Sequence, residues 1–232
     1  MIYFRYPHKY KYPFEAEEPY YRNDTYKEDL KKSIKLQEQK LAPANFSIQY
    51  PFIDPLNYKG SGVGKVNNEI INQVSELFKK QVLQIGAVDF NEVLGNYEVM
   101  LNKNGILSIL FSMYIYVNRA AHGSTLYSSM TANVKTGQIY SFSDLFNSKV
   151  YYKGFLDPIA KQYIKENNIT LINEYNGITE NQQFYLTPNS LVLYYQIYEY
   201  TPYYYGLFKI EIPYEKIANI LSPRGPIAKL MR

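Results

Sequence analysis

The chain has 232 residues, 46% of them hydrophobic, a formal net charge of +4 and no cysteine. That length supports one domain, or one domain with an arm, able to bury its apolar surface without covalent staples. The missing cysteine excludes a disulfide framework, a thiolate metal site and a cysteine nucleophile, and the small, dispersed positive charge argues against nucleic acid as a partner.

Residues 1–40 read as a Tyr-rich arm. Tyr3, Tyr6, Tyr10, Tyr12, Tyr20, Tyr21 and Tyr26 are interleaved with charges and with Pro7, Pro13 and Pro19, and Tyr-Pro pairs favour extended backbone. Asp24 to Lys40 has the option of a helix, since Leu30, Ile34 and Leu41 fall on roughly one side; disorder is the competing expectation. Charges throughout residues 1–20 leave no apolar signal segment. The most apolar run, Ile106 to Val117, is too short to cross a bilayer. No membrane span is expected, and the compartment stays open.

The globular part, residues 41–221, starts with a strand over Ala44 to Ile53, where Phe46, Ile48 and Tyr50 alternate. A loop around Gly60 to Gly64 leads to a helix with Val66, Ile70, Val74, Leu77, Phe78 and Ile85 on its core face, stopped by Gly86. Tyr97 to Leu101 and Ile106 to Val117 form a hairpin about Asn104-Gly105. On the second strand Leu107, Ile109, Phe111, Met113, Ile115 and Val117 face the core; Ser108, Ser112, Tyr114 and Tyr116 face a partly wet side. A second hairpin joins Ser128–Val134 to Gln138–Phe142. After a short turn at Ser143 comes a helix opening at Asp157-Pro158. Strands over Gln183–Thr187, Leu191–Ile197 and Leu207–Ile212 follow, then a short closing helix. Residues 222–232 read as a solvated basic tail. The predicted class is α+β: a largely antiparallel sheet covered by one long helix and shorter helices.

Four segments carry a resemblance to a known family. Tyr50-Pro51-Phe52-Ile53 with Val66-Asn67-Asn68-Glu69-Ile70 comes first. Leu107-Ser108-Ile109-Leu110, leading to Ala121-His122-Gly123, is second. Asn133 to Gln138 with Asp144-Leu145-Phe146 is third, and Phe184 to Thr187 with Tyr198 to Tyr203 and Gly206 is fourth. Their order over residues 44–221 resembles the RsiV-like family, which includes lysozyme-binding extracytoplasmic domains of anti-sigma factors and the N-terminal module of PdaC-type peptidoglycan deacetylases. Two positions depart from its pattern: Arg119-Ala120 stands where two glycines are expected, and Asn133 replaces an aspartate. The resemblance implies an extracytoplasmic binding role with a lysozyme-like protein or peptidoglycan glycan as partner. Neither a membrane anchor nor a deacetylase domain is expected to accompany this chain.

Tyrosine is the compositional outlier, 27 residues against no tryptophan; its ring is apolar and its tip polar, which suits recognition surfaces. The first candidate site is therefore the Tyr/Pro loop: Tyr198, Tyr200, Pro202, Tyr203, Tyr204 and Tyr205, ended by Gly206. The second is the turn holding His122 and Ser124, where a backbone-bonded turn histidine is weighed against a hydrolytic one. Glu174, Glu180 and Glu199 show no spacing that pairs two on one element. There is no phosphate loop, dinucleotide fingerprint or calcium-loop spacing, so no cofactor or metal is expected. The leading expectation is a non-catalytic binding module working through the Tyr/Pro loop. The alternatives are a structural protein of a spore or envelope layer in a low-GC bacterium (Firmicutes), where tyrosines adhere or cross-link oxidatively, and a hydrolase using His122.

Overall fold

The computed structural model describes residues 33–231 apart from positions 43, 59, 85, 87 and 88. Two sheets carry the fold. The larger places β1 (Leu36–Leu41), β2 (Phe46–Ile53), β3 (Phe90–Lys103), β4 (Ile106–Val117), β5 (Ser124–Asn133) and β6 (Gln138–Ile139) side by side in that order. The smaller holds β7 (Phe184–Leu186), β8 (Ser190–Tyr195) and β9 (Phe208–Pro213). Every pairing is antiparallel except the short one between β2 and β3. The helices are α1 (Val63–Phe78), continued by a π-helical turn over Lys79–Leu83, then α2 (Tyr152–Glu166), α3 (Tyr214–Ile217) and α4 (Pro226–Leu230). The α+β class expected from the sequence is the class observed.

Alternation on β4 organises the layers. Leu107, Ile109, Phe111, Met113 and Ile115 point to one face and pack against Val63, Val66, Ile70 and Leu77 of α1. Each such side chain, fully buried, contributes roughly 1.5–3 kcal/mol. The other face of β4 is divided: Ser112, Tyr114 and Tyr116 are half-buried, as a partly wet side requires, whereas the Ser108 end is covered. Leu110 packs there with Tyr127, Tyr185, Val192 and Tyr194, and Ser108 is wholly buried. The Ser108 hydroxyl accepts the Leu186 N–H at 3.0 Å and lies 2.8 Å from the Thr131 hydroxyl, so a polar side chain sits between two sheets with its bonding satisfied. The smaller sheet covers the Ser108 and Leu110 part of this face. Its own far face (Leu191, Leu193, Phe208, Ile210 and Ile212) packs in one core with Leu156 and Ala160 of α2.

Four expectations need correcting. The helix expected to open at Asp157-Pro158 starts at Tyr152, with Pro158 inside it. Residues 36–41 are not helical: Leu36–Leu41 is an edge strand antiparallel to β2, and its Gln37, Glu38, Gln39 and Lys40 are the polar residues an exposed sheet edge tolerates. The rest of the expected helix, residues 24–32, lies outside the described residues, as do the arm tyrosines. Consequently the domain reaches back past residue 41: Ile34 is buried, and the Asn102 side chain accepts its N–H at 2.8 Å and donates to its carbonyl at 2.7 Å. Nor are residues 222–231 a solvated tail; residue 232 of that expected tail lies outside the described residues. Ile227 of α4 is buried in the core, and Lys229 Nζ donates to the Tyr140 hydroxyl at 3.2 Å.

A similar amide clamp fixes α1. Asn67 accepts the Ile53 N–H at 3.0 Å and donates to the Ile53 carbonyl at 2.8 Å, in a buried setting. This joins the two halves of the first segment in the family resemblance, because the strand end and the helix are one hydrogen-bonded unit. Asn67→Ala leaves both Ile53 backbone groups unsatisfied, which costs about 2–4 kcal/mol. A thermal melt should show a fall of roughly 5–15 °C for a domain of this size; an unchanged melting temperature would refute the clamp.

Candidate functional site

The site begins where β8 ends. Gln196 accepts the Tyr127 N–H and donates to the Tyr127 carbonyl, both at 3.0 Å, so its side-chain amide acts as one residue of a strand along the outer edge of β5. A tight turn follows: the Glu199 N–H donates to the Gln196 carbonyl at 3.0 Å, and the Gln196 N–H to the Glu199 carboxylate at 2.8 Å. Tyr198 stands within that turn at φ +69°, a left-handed conformation that costs a non-glycine residue roughly 1–2 kcal/mol. The neighbouring loop holds it there, through Ile172 N–H to the Tyr200 carbonyl at 2.9 Å and the Asn173 amide to the Glu199 carbonyl at 2.7 Å.

Beyond the turn, Tyr203–Tyr205 forms one 3-10 turn after Pro202. Its ends are tied by Tyr205 N–H to Pro202 O and Gly206 N–H to Tyr203 O. Gly206, at φ +73°, supplies the left-handed residue that ends it. Tyr198 is 50% exposed and Tyr204 83%, so the braced segment presents rings to solvent.

His122 reaches this surface from the connection between β4 and β5. Arg119, where the family pattern has glycine, takes φ +68° and turns the chain. Gly123 lies so close under Tyr114 that an added Cβ would stand 2.2 Å from the ring; a side chain there would require the Tyr114 ring to move. The His122 ring then lies 4.5 Å from that of Tyr203, tilted by 32°, and 6.3 Å from that of Tyr198. Its Nδ1 is 2.7 Å from the Gly123 carbonyl. A carbonyl only accepts, so Nδ1 carries the hydrogen and Nε2 is the acceptor for the Tyr198 hydroxyl at 3.4 Å.

The structure thus joins two candidates that the sequence kept apart: His122, Tyr198 and Tyr203 form one aromatic cluster, with Tyr204 and Tyr205 exposed in the same loop. Two expected site residues are not part of that cluster: one lies buried beneath it, and the other, though exposed, stands outside it. Tyr200 is buried, its ring 5.0 Å from Tyr195 and 5.3 Å from Tyr175, and acts as the loop's foundation. Ser124 is tied elsewhere: Gln81, in the π-helical turn, donates to its carbonyl at 3.0 Å and its hydroxyl at 3.2 Å. Gln196, Asn173 and Gln81 were not singled out from sequence, because amides that brace loops across long separations leave no local pattern.

A shallow groove of about 150 Å³ adjoins the site between α1 and β5, lined by Gln73, Glu76, Lys80, Ser128, Gln183 and Gln196 among others. Pockets for drug-sized ligands measure about 300–1,000 Å³, so this groove is small for one. Among the described residues, no group of three or more His, Asp or Glu side chains is placed to hold a metal, and no helix is long and apolar enough to cross a membrane.

A family model described as a protein of unknown function, DUF3298, matches residues 143–215, a stretch that contains the Tyr loop but not His122. Two solved structures share the fold. A DUF3298 family member from Bacteroides fragilis is 16% identical, covers 87% of this chain and 98% of its own, and superposes with a TM-score of 0.58. A DUF3298 family protein from Pseudomonas aeruginosa is 15% identical, covers 86% and 95%, and gives 0.59. At these identities the likeness is one of fold. No curated protein matches the chain.

Burial pushes the Tyr175 phenol under the loop up to about 12, and raises those of Tyr195, Tyr185, Tyr194, Tyr127 and Tyr214 further. The folded state keeps these protons where an unfolded chain gives them up near pH 10. Their stabilisation is therefore complete below about pH 10 and is lost as pH rises through about 12 and beyond. Phenolate absorbance should show the buried set ionising only with unfolding; every tyrosine titrating near pH 10 in folded protein would contradict this.

Proposed function

We propose that this domain is a non-catalytic binding module of the RsiV-like type. It recognises a cell-wall-associated partner, a lysozyme-type muramidase or the peptidoglycan glycan, through Tyr198, Pro202, Tyr203, Tyr204, Tyr205 and His122. The observation that carries the reading is the convergence of the His122 turn and the Tyr loop into one braced, exposed aromatic surface. A surface already held in shape loses little entropy on docking, and tyrosine offers large rigid contact area with few rotors. The RsiV-like resemblance and the DUF3298 match over the loop support the same direction.

The geometry offers the hydrolase alternative little support. Nucleophilic catalysis needs a base beside its nucleophile. Here both imidazole nitrogens are engaged, by Gly123 and Tyr198, and the Ser124 hydroxyl accepts from Gln81.

The test is a calorimetric titration of the intact chain with a C-type lysozyme and, separately, with soluble peptidoglycan fragments, at two salt concentrations. One of the two should bind saturably. Replacing Pro202, Tyr203 and Tyr204 together by Ala should weaken that binding on the order of thirtyfold or more, with the melting curve retained. Affinity unchanged in the triple variant would eliminate the loop as the site, and absence of binding to both probes would eliminate the proposed partner class.

A further inference from the structure

The chain has no cysteine and no tryptophan, which leaves tyrosine as its readily oxidised aromatic side chain. A phenol loses an electron far more easily when a base takes its proton in the same step. Among the described residues, Tyr198 is the tyrosine whose hydroxyl donates to an imidazole, His122 Nε2 at 3.4 Å, and the Gly123 carbonyl at 2.7 Å holds His122 in the tautomer that leaves Nε2 free to accept. Three other described tyrosine hydroxyls meet weaker bases. Tyr97 donates to the Glu38 carboxylate, Tyr214 to a backbone carbonyl and Tyr194 to a serine hydroxyl; an ordinary carboxylate is about two pKa units less basic than an imidazole. The Tyr203 ring lies 5.8 Å from that of Tyr198 with planes 31° apart.

We propose that Tyr198 and Tyr203 are a site of oxidative modification, at which His122 acts as proton acceptor and a haem peroxidase with hydrogen peroxide joins the two rings as dityrosine. The peroxidase takes one electron from Tyr198 while its hydroxyl proton passes to His122 Nε2, leaving a neutral phenoxyl radical. A second one-electron oxidation does the same at Tyr203, whose proton goes to water. The two ortho carbons form a C–C bond, and each ring then moves its ortho hydrogen to its own phenol oxygen. The tyrosines lose two hydrogens in all, and hydrogen peroxide is reduced to two waters. The product staples the Gln196–Glu199 turn to the first residue of the 3-10 turn. This reading does not depend on the loop's binding partner.

The experiment treats the intact chain with a haem peroxidase and limiting hydrogen peroxide, then measures dityrosine fluorescence and maps the linked peptides by mass spectrometry. The Tyr198–Tyr203 link should be the most abundant among residues 33–231. It should fall on the order of tenfold in His122→Gln, which keeps a polar acceptor of similar size but no useful base, and should vanish in Tyr198→Phe, which keeps the ring. Melting curves identify any variant that fails to fold. Coupling that follows exposure, with Tyr204 and Tyr151 ahead at 83% and 77%, would overturn the proposal. So would a full yield of the Tyr198–Tyr203 link in folded His122→Gln.

Discussion

The Gln196 side-chain amide holds the site together. By pairing with both backbone groups of Tyr127, it ties the end of β8 in the smaller sheet to the edge of β5 in the larger one. The proposed binding surface lies close to that bond in sequence on each side. Toward the C-terminus the chain enters the Gln196–Glu199 turn and the Tyr loop. Toward the N-terminus, β5 begins at Ser124, directly after His122. A strand edge whose backbone groups are satisfied by a side chain is also an edge closed to further pairing, so one contact both aligns the sheets and guards β5.

The stacking of the sheets makes that bond possible. Ser108 and Thr131, buried between layers, and the Ser129 hydroxyl donating to the Phe184 carbonyl at 2.5 Å, fix the lateral position of β7 over β4 and β5. Below the loop, Tyr175, Tyr195, Tyr200 and Phe208 form an aromatic base, with the Tyr175 and Tyr195 hydroxyls 2.7 Å apart. The division of labour among tyrosines follows from their tips. Those whose hydroxyls find a partner inside are structural; those in the 3-10 turn, with less burial, stay at the surface.

Local pattern made much of this legible. The α1 stripe, the Asn104-Gly105 hairpin, the turn at Gly137 and the closing strands all follow from periodicity and turn chemistry, and the structure has them. What was not legible is non-local. Every residue of Ser190–Tyr195 is buried, and a run buried on both faces does not say which sheet it joins, so the second layer could not be inferred. Ser108 looks like a wet residue until its two partners are known. Leu36–Leu41 is polar because it is an edge, and three apolar residues at helix-like spacing left only helix and disorder as readings of that stretch. At the site, the loop was visible from its composition, but His122 and Tyr198 are 76 positions apart and only the stacking of the sheets brings them together. Tyr200 illustrates the converse: it shares the loop's composition, and only the fold reveals that it points inward.

The central claim is that one surface, formed by the His122 turn and the Tyr198–Gly206 loop, is where a partner docks. Amide hydrogen exchange of the intact chain with and without saturating C-type lysozyme or peptidoglycan fragments tests it residue by residue. The account predicts added protection at residues 198–206 and 121–124 together, with the far edge at β1 unchanged. Protection confined to β1 or to α2, with the loop exchanging as in the free protein, would contradict it.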